Sequence, residues 1–175
     1  MDTALKGAYV VETDRHDDER GFFARTWCRQ EFAAAGLIAE FTQSSVSFNP
    51  HQGTLRGMHY QHAPQAETKL VRCTRGRMYD VALDLRPGSD TFGRWTAAEL
   101  AADNHRALYI PPGCAHGFLT LEADTEVLYQ IAGEYEPRAA DGVRWNDPVF
   151  DIAWPAPVAV MSERDRHYPD FTPRR

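Results

Sequence analysis

One short stretch of the sequence concentrates side chains that can bind anions, transfer protons or coordinate a metal. Residues 56–62 read Arg-Gly-Met-His-Tyr-Gln-His, and Lys69 follows soon after. A second stretch, residues 111–118, reads Pro-Pro-Gly-Cys-Ala-His-Gly-Phe and delivers His116 from a tight turn onto the next strand. In a regular strand Arg56 and His59 face opposite sides, whereas a β-bulge would let side chains from the two faces point the same way. A single histidine of this kind is more often structural than functional.

A metal site is the first chemistry to weigh, because His59, His62, Glu67 and His116 are all possible ligands. Metal-binding cupins carry a His-x-His pair, whose two rings lie on one face of a strand. Here His59 and His62 are three residues apart, which places them on opposite faces of a regular strand. We therefore predict that the protein uses no catalytic metal.

The elements that must position these residues are short strands, because 12 glycines and 11 prolines punctuate the chain. Turns recur about every 8–12 residues, which favours a sandwich or barrel over alternating strands and helices. The polar residues 16–19 are expected to form a turn, 30–35 a helix that stops at Gly36, and Ser162 the start of a short helical turn. Strands are predicted over residues 7–12, 20–27, 41–48, 54–61, 68–75, 77–86, 95–100, 107–110, 117–121 and 126–135.

The strand predicted over residues 77–86 carries two carboxylates on one face. Tyr79, Val81, Leu83 and Leu85 alternate with Met78, Asp80, Ala82 and Asp84. Two interpretations remain open, a solvent-facing side and a strand that lines a polar cavity inside a barrel. The irregular tail after Trp145 is expected to wrap back over the domain.

Length and charge limit the class of protein. The 175 residues predict one domain, 1–175, and the net charge of −6 argues against nucleic acid as a partner. No apolar stretch is long enough to span a membrane, and we expect neither a secretory signal nor a membrane partner. Cys28, Cys73 and Cys114 are widely spaced, which fits a reduced, cytoplasmic protein.

The chain resembles the dTDP-4-dehydrorhamnose 3,5-epimerases, a cupin-type family of sugar-nucleotide epimerases. The resemblance implies an all-β fold, a double-stranded β-helix or jelly-roll barrel with few short helices. It also implies an isomerase that needs no cofactor and epimerises C3 and C5 of a nucleoside-diphosphate 4-keto-6-deoxyhexose. Protons on these carbons are acidic because both flank the C4 ketone, so a base, an acid on the opposite face and a cation suffice. The matching segments are residues 18–23, 53–61, 69–72, 80–86, 111–118, 145–148 and 162–165.

The resemblance also implies roles for individual residues. His59 matches the general base, and Asp165 matches the carboxylate that holds it. Tyr129 matches the acid on the opposite face, with Tyr135 a rival by residue type. Lys69 matches the cation near the enolate oxygen. The residues implied to bind substrate are Arg20, Gln43, Ser45, Arg56, His116 and Asp84.

Some positions depart from the family pattern. Ser45 stands where the family commonly has asparagine, and Arg25 and Ala140 stand where some members have glutamate. These departures leave open the nucleotide base, the sugar, and whether one centre or both are inverted. The family further implies a homodimer whose N-terminal strand crosses to its partner, so that Arg20 serves the partner's site.

Three alternative functions remain. The first is a single-centre epimerase acting on a related dTDP-, CDP- or GDP-linked 4-keto sugar. The second is a metal-dependent cupin oxygenase, which the histidine spacing disfavours. The third is a non-catalytic sugar-nucleotide binder, which would not need the acid–base set His59, Lys69, Tyr129 and Asp165.

Overall fold

The fold of residues 1–172, described by a computed structural model, consists almost entirely of strands. The two helices are α1 (Arg29–Ala34) and α2 (Glu163–Arg166). The strands are β1 (Tyr9–Val11), β2 (Arg15–Asp18), β3 (Gly21–Ala24), β4 (Gln43–Asn49), β5 (Thr54–Gln61), β6 (Thr68–Arg75), β7 (Arg77–Asp84), β8 (Trp95–Ala101), β9 (Ala107–Ile110), β10 (Cys114–Thr120), β11 (Thr125–Ala132), β12 (Ala140–Gly142) and β13 (Val160–Met161).

Two sheets face each other and enclose the main core. One has the order β1-β9-β6-β11-β4, and the other has the order β12-β5-β10-β7-β8, with β13 added in parallel beside β5. Val71, Leu108 and Val127 of the first sheet pack against Met78 and Phe118 of the second. Burying each of these side chains stabilises the fold by roughly 1.5–3 kcal/mol. Their contacts hold the two sheets together.

The outer face of each sheet is covered by a different part of the chain. Helix α1, after which Gly36 turns the chain with φ +73°, packs Phe32 over the first sheet beside Tyr109. The tail after Trp145 packs Phe150 and Ile152 over the second sheet. The expectation that the tail wraps back over the domain is therefore confirmed.

The N-terminal hairpin of β2 and β3 forms a separate two-stranded sheet, and it touches the rest of the fold where the centroid of the Phe22 ring lies 4.7 Å from that of the His105 ring. Its four β2 residues are all exposed, and Phe22 and Phe23 of β3 are 43% and 71% exposed. The prediction of a turn over residues 16–19 is wrong for residues 16–18, which lie in β2. The reason is that, among residues 1–172, β2 packs against none of the hydrophobic core clusters, so no hydrophobic alternation marks it as a strand.

No helix among the residues described is long and apolar enough to cross a membrane. The assignment of residues 1–175 to one domain remains a prediction, and residues 173–175 lie outside the part described.

Candidate active site

A cavity of about 340 Å³ opens between the two sheets. The first sheet lines it with Ser45 and Ser47 of β4, Lys69 of β6, and Tyr129 and Ile131 of β11. The second sheet contributes Arg56, His59, Tyr60 and Gln61 of β5, His116 and Phe118 of β10, and Ala140 and Asp141 of β12. Glu67, Tyr135 and Arg164 complete the lining. The predicted catalytic residues His59, Lys69 and Tyr129 therefore share one cavity.

A bulge in β5 brings Arg56 and His59 to the same side of the strand. His116 of β10 pairs with His59, whereas Phe118 pairs with Arg56, so β5 holds one extra residue between them. At the bulge, Gly57 has φ +121°, and a Cβ there would lie 2.5 Å from Cα of Gly117. Glycine at both positions thus lets the two backbones meet and turns the two side chains into the cavity.

Asp165 holds His59 from outside the sheet. Its carboxylate lies 2.7 Å from Nε2 of His59 and accepts a hydrogen bond from the backbone N–H of Gly57 at 3.1 Å. Ser162 caps α2 by accepting from the backbone N–H of Asp165, which fixes the carboxylate's position. Burial alone would raise the pKa of Asp165, but the hydrogen bonds from His59 and Gly57 outweigh it and lower the pKa. An ionised Asp165 favours a proton on Nε2, which leaves Nδ1 of His59 as the basic nitrogen.

His116 has its own carboxylate partner, Asp80, which the sequence analysis did not assign to the site. Nε2 of His116 lies 2.7 Å from Oδ1 of Asp80, and Asp80 is fully buried. Burial raises the pKa of Asp80, although the His116 ring opposes that rise. The two carboxylates of β7 therefore do not face solvent. Strand alternation placed Asp80 on the same face as Asp84 and left open whether that face meets solvent or a cavity, and only the pairing of β7 with β10 reveals the partner of Asp80.

Tyr129 faces the cavity from the sheet opposite His59. Its hydroxyl lies 3.3 Å from that of Ser47, and its ring packs edge-on against His116. Burial raises the pKa of Tyr129 far above its usual value, so the phenol keeps its proton at neutral pH. Tyr135, the rival acid, also lines the cavity but is 58% exposed and follows the end of β11.

The cations of the cavity lie at two depths. Arg56 and Arg164 are exposed, and Nε of Arg56 is held by the buried side chain of Asn49 at 2.7 Å. Lys69 is buried, and its Nζ lies 3.3 Å from the carboxylate of Glu67. The arrangement can accept an extended anion at the opening and stabilise a second negative charge deeper inside.

Three predicted substrate-binding residues do not line the cavity. Asp84 is fully buried, and its carboxylate accepts from Arg86, Ser89 and Thr91. The expectation that Asp84 lines the cavity is therefore corrected, because it closes the loop after β7. Gln43 donates to the carbonyl of Gly133 at 2.7 Å, and Arg20 pairs with Asp18 on the hairpin. Their proposed contacts with substrate remain predictions.

The candidate metal ligands are not gathered around one point. His62 pairs with Asp141 at 2.8 Å, apart from the partners of His59 and His116. Within residues 1–172, no group of three histidine, cysteine or acidic side chains is placed to hold a metal ion. The absence of a catalytic metal remains a prediction.

Comparison with known proteins shows one family throughout. The family model for dTDP-4-dehydrorhamnose 3,5-epimerase matches residues 2–173. The enzyme of that name from Sinorhizobium fredii is 41% identical over 167 residues, covering 93% of this chain and 84% of the relative. The crystal structure of the Elizabethkingia anophelis dTDP-4-dehydrorhamnose 3,5-epimerase aligns with a TM-score of 0.95 at 37% identity, covering 98% of this chain and 94% of the other. ChmJ of Streptomyces bikiniensis, a 3'-monoepimerase solved with dTDP-quinovose, aligns with a TM-score of 0.87 at 34% identity, covering 95% and 84%. The predicted all-β cupin-type jelly roll is confirmed.

Proposed function

The chain belongs to the dTDP-4-dehydrorhamnose 3,5-epimerase family, and on this premise we propose that its cavity inverts C3 and C5 of dTDP-4-dehydro-6-deoxyglucose. Such an enzyme is an isomerase. One observation carries the proposal: His59 and Tyr129 enter the cavity from opposite sheets. A proton can therefore leave one face of a sugar and return to the other.

The reaction begins when Nδ1 of His59 removes the proton from C3 or C5. The C–H electron pair forms the carbon–carbon double bond of an enolate, and the negative charge moves to the C4 oxygen. Lys69, the buried cation, stabilises that oxygen. Tyr129 then donates its hydroxyl proton to the carbon from the opposite face. Proton exchange with water restores both residues, and the same steps invert the second centre.

The depth of the cations orients the substrate. The diphosphate lies against the exposed Arg56 and Arg164, because a doubly charged group is costly to bury. The uncharged sugar can enter deeper, toward Lys69 and His59. Arg56 is suited to phosphate because its planar guanidinium donates several parallel hydrogen bonds.

Heavy water distinguishes inversion of both centres from inversion of one. The protein is incubated with dTDP-4-dehydro-6-deoxyglucose in D2O, and NMR records deuterium uptake at C3 and C5 together with the inverted products. We expect uptake and inversion at both carbons. Uptake at C3 alone would favour the single-centre alternative. The structurally similar ChmJ, a 3'-monoepimerase, is the reason to test this alternative. No uptake from any dTDP-, CDP- or GDP-linked 4-keto-6-deoxyhexose would refute the proposed function.

We further propose a cytoplasmic homodimer. The exposed Phe22 and Phe23 give the hairpin an apolar surface that a second copy can cover, which would carry Arg20 to the partner's cavity. Three free cysteines are compatible with a reducing compartment. Sedimentation should give a dimer, and Arg20→Ala should weaken substrate binding without loss of the dimer. A fully active monomer would contradict the proposal.

A further inference from the structure

Glu67 is an acidic side chain in a cavity that, on the proposed function, accepts an anionic substrate. It precedes β6 and lines the cavity, and its side chain is 9% exposed. Its carboxylate lies 3.3 Å from Nζ of Lys69, which is 11% exposed. A buried ion pair of this kind is weak evidence for stability, because desolvation of both groups offsets their attraction. Stability alone therefore does not account for a carboxylate at this position.

The loop that carries Glu67 is fixed on two sides. The side chain of Gln61 donates to the carbonyls of Gln65 (2.8 Å) and Glu134 (3.0 Å) and accepts from the backbone N–H of Glu136 (2.7 Å). Gln61 is itself buried, so it ties the loop before β6 to the segment after β11. Glu67 is thus held in place before any ligand binds. A residue that determines substrate specificity must be preorganised in this way.

The surroundings of Lys69 limit which groups of the substrate Glu67 can contact. In the proposed reaction, Lys69 faces the C4 oxygen, and the diphosphate lies toward the exposed arginines. A carboxylate beside Lys69 only accepts hydrogen bonds, so it needs a donor on the sugar. The 3-hydroxyl is such a donor, because it sits on the carbon next to C4, about one hydrogen-bond length from the C4 oxygen.

We propose that Glu67 accepts a hydrogen bond from the 3-hydroxyl of the 4-keto sugar and selects substrates that carry this hydroxyl. The inference rests on the proposed function and adds a specificity-determining residue to it. The alternative role for Glu67 is a counter-charge for Lys69 that makes no contact with the sugar.

A double comparison of enzyme and substrate separates these two roles. Glu67→Gln keeps the size of the side chain and removes its charge. Each protein is given the 3-hydroxy substrate and its 3-deoxy analogue, and kcat/KM is measured for deuterium exchange at C5, a carbon that both substrates carry. The effect of the 3-hydroxyl on C5 acidity is the same for both proteins, so it cancels in the comparison.

The wild-type protein should prefer the 3-hydroxy substrate by roughly 10- to 100-fold, as expected for a hydrogen bond to a charged acceptor. In Glu67→Gln that preference should shrink by at least roughly 5-fold, since a neutral acceptor is weaker. Glu126→Gln is the matched control, because Glu126 accepts from Thr74 outside the cavity lining, and its preference should equal that of the wild type.

An equal loss of rate on both substrates would overturn the inference and leave Glu67 as a counter-charge. If Glu67→Gln does not fold, Glu67→Asp takes its place, because its retracted carboxylate should also weaken the preference, and an unchanged preference would overturn the inference. Wild-type protein that exchanges neither substrate would instead refute the proposed function.

Discussion

Replacing Asp165 with asparagine tests the pairing with His59 at almost constant side-chain size. Asp165 accepts from Nε2 of His59 and from the backbone N–H of Gly57. The Gly57 group can only donate, so asparagine must turn its carbonyl oxygen there and its NH2 toward His59. Nε2 of His59 then becomes an acceptor, and its proton moves to Nδ1. The nitrogen that should remove the substrate proton thereby loses its lone pair.

The expected loss of activity follows from that change of tautomer. Where a buried aspartate orients a catalytic histidine in other enzymes, substitution by asparagine lowers kcat about 10⁴-fold. We therefore expect Asp165→Asn to lower kcat by roughly 10³- to 10⁴-fold. KM should change much less, because the arginines proposed to hold the diphosphate are untouched. Loss of the charge-assisted hydrogen bond should also lower the free energy of unfolding by about 1–3 kcal/mol.

Two measurements check this reasoning. Single-turnover inversion gives the rate of the chemical step, and ¹⁵N NMR of the His59 ring reports which nitrogen carries the proton. Ser162→Ala is the control, since it removes only the cap of α2 and should cost about 1 kcal/mol of stability with activity near that of the wild type. A folded Asp165→Asn protein with kcat within ten-fold of the wild type, or with its proton still on Nε2, would refute the argument.

Three further predictions concern Tyr129 in the cavity and the glycine contact at the bulge of β5. Tyr129→Phe should still exchange deuterium into recovered substrate while forming little inverted product; equal loss of both activities would indicate a structural role. Because burial raises the pKa of Tyr129, the stability that its neutral phenol contributes is complete below the unfolded pKa of about 10 and falls progressively as pH rises from that value toward and through the higher folded pKa. Urea unfolding at pH 8 and 11 should therefore show the wild type losing more stability than Tyr129→Phe, and parallel curves would contradict this. Gly117→Ala would place a Cβ 2.6 Å from the sulfur of Met58 and 2.8 Å from the carbonyl oxygen of Arg56. Overpacking should cost about 1–3 kcal/mol and displace His59, so wild-type stability and activity would show that the bulge tolerates a methyl group.

Strands whose two faces each have a fixed environment could be predicted from the sequence. Strands β5, β6 and β9 lie at the predicted residues 54–61, 68–75 and 107–110. Helix α1 lies within one residue of its prediction. Strands β12 and β13 were missed, because three- and two-residue strands owe their conformation to pairing with β5 rather than to their own sequence.

The site was predictable in part. Alternation along residues 77–86 showed that Asp80 and Asp84 share a face, but it could not show that one would meet His116 while the other closed a loop. The pairing of His59 with Asp165 spans 106 residues, so only the family resemblance suggested it. The bulge that aligns Arg56 with His59 depends on the approach of two glycine backbones from different strands, which periodicity within one strand does not reveal.

Because the cavity is divided between two sheets, the stereochemistry of the reaction can change in evolution by substitutions in one sheet. His59 and His116 belong to the wall built from β5 and β10, whereas Lys69 and Tyr129 belong to the wall built from β6 and β11. The walls join through side-chain packing rather than through a shared backbone ladder. Substitutions that leave the contact between His116 and Tyr129 intact therefore alter proton transfer at one face of the sugar and leave the other catalytic group in place. Mutations confined to one sheet can therefore abolish inversion while proton exchange at the other face of the sugar continues.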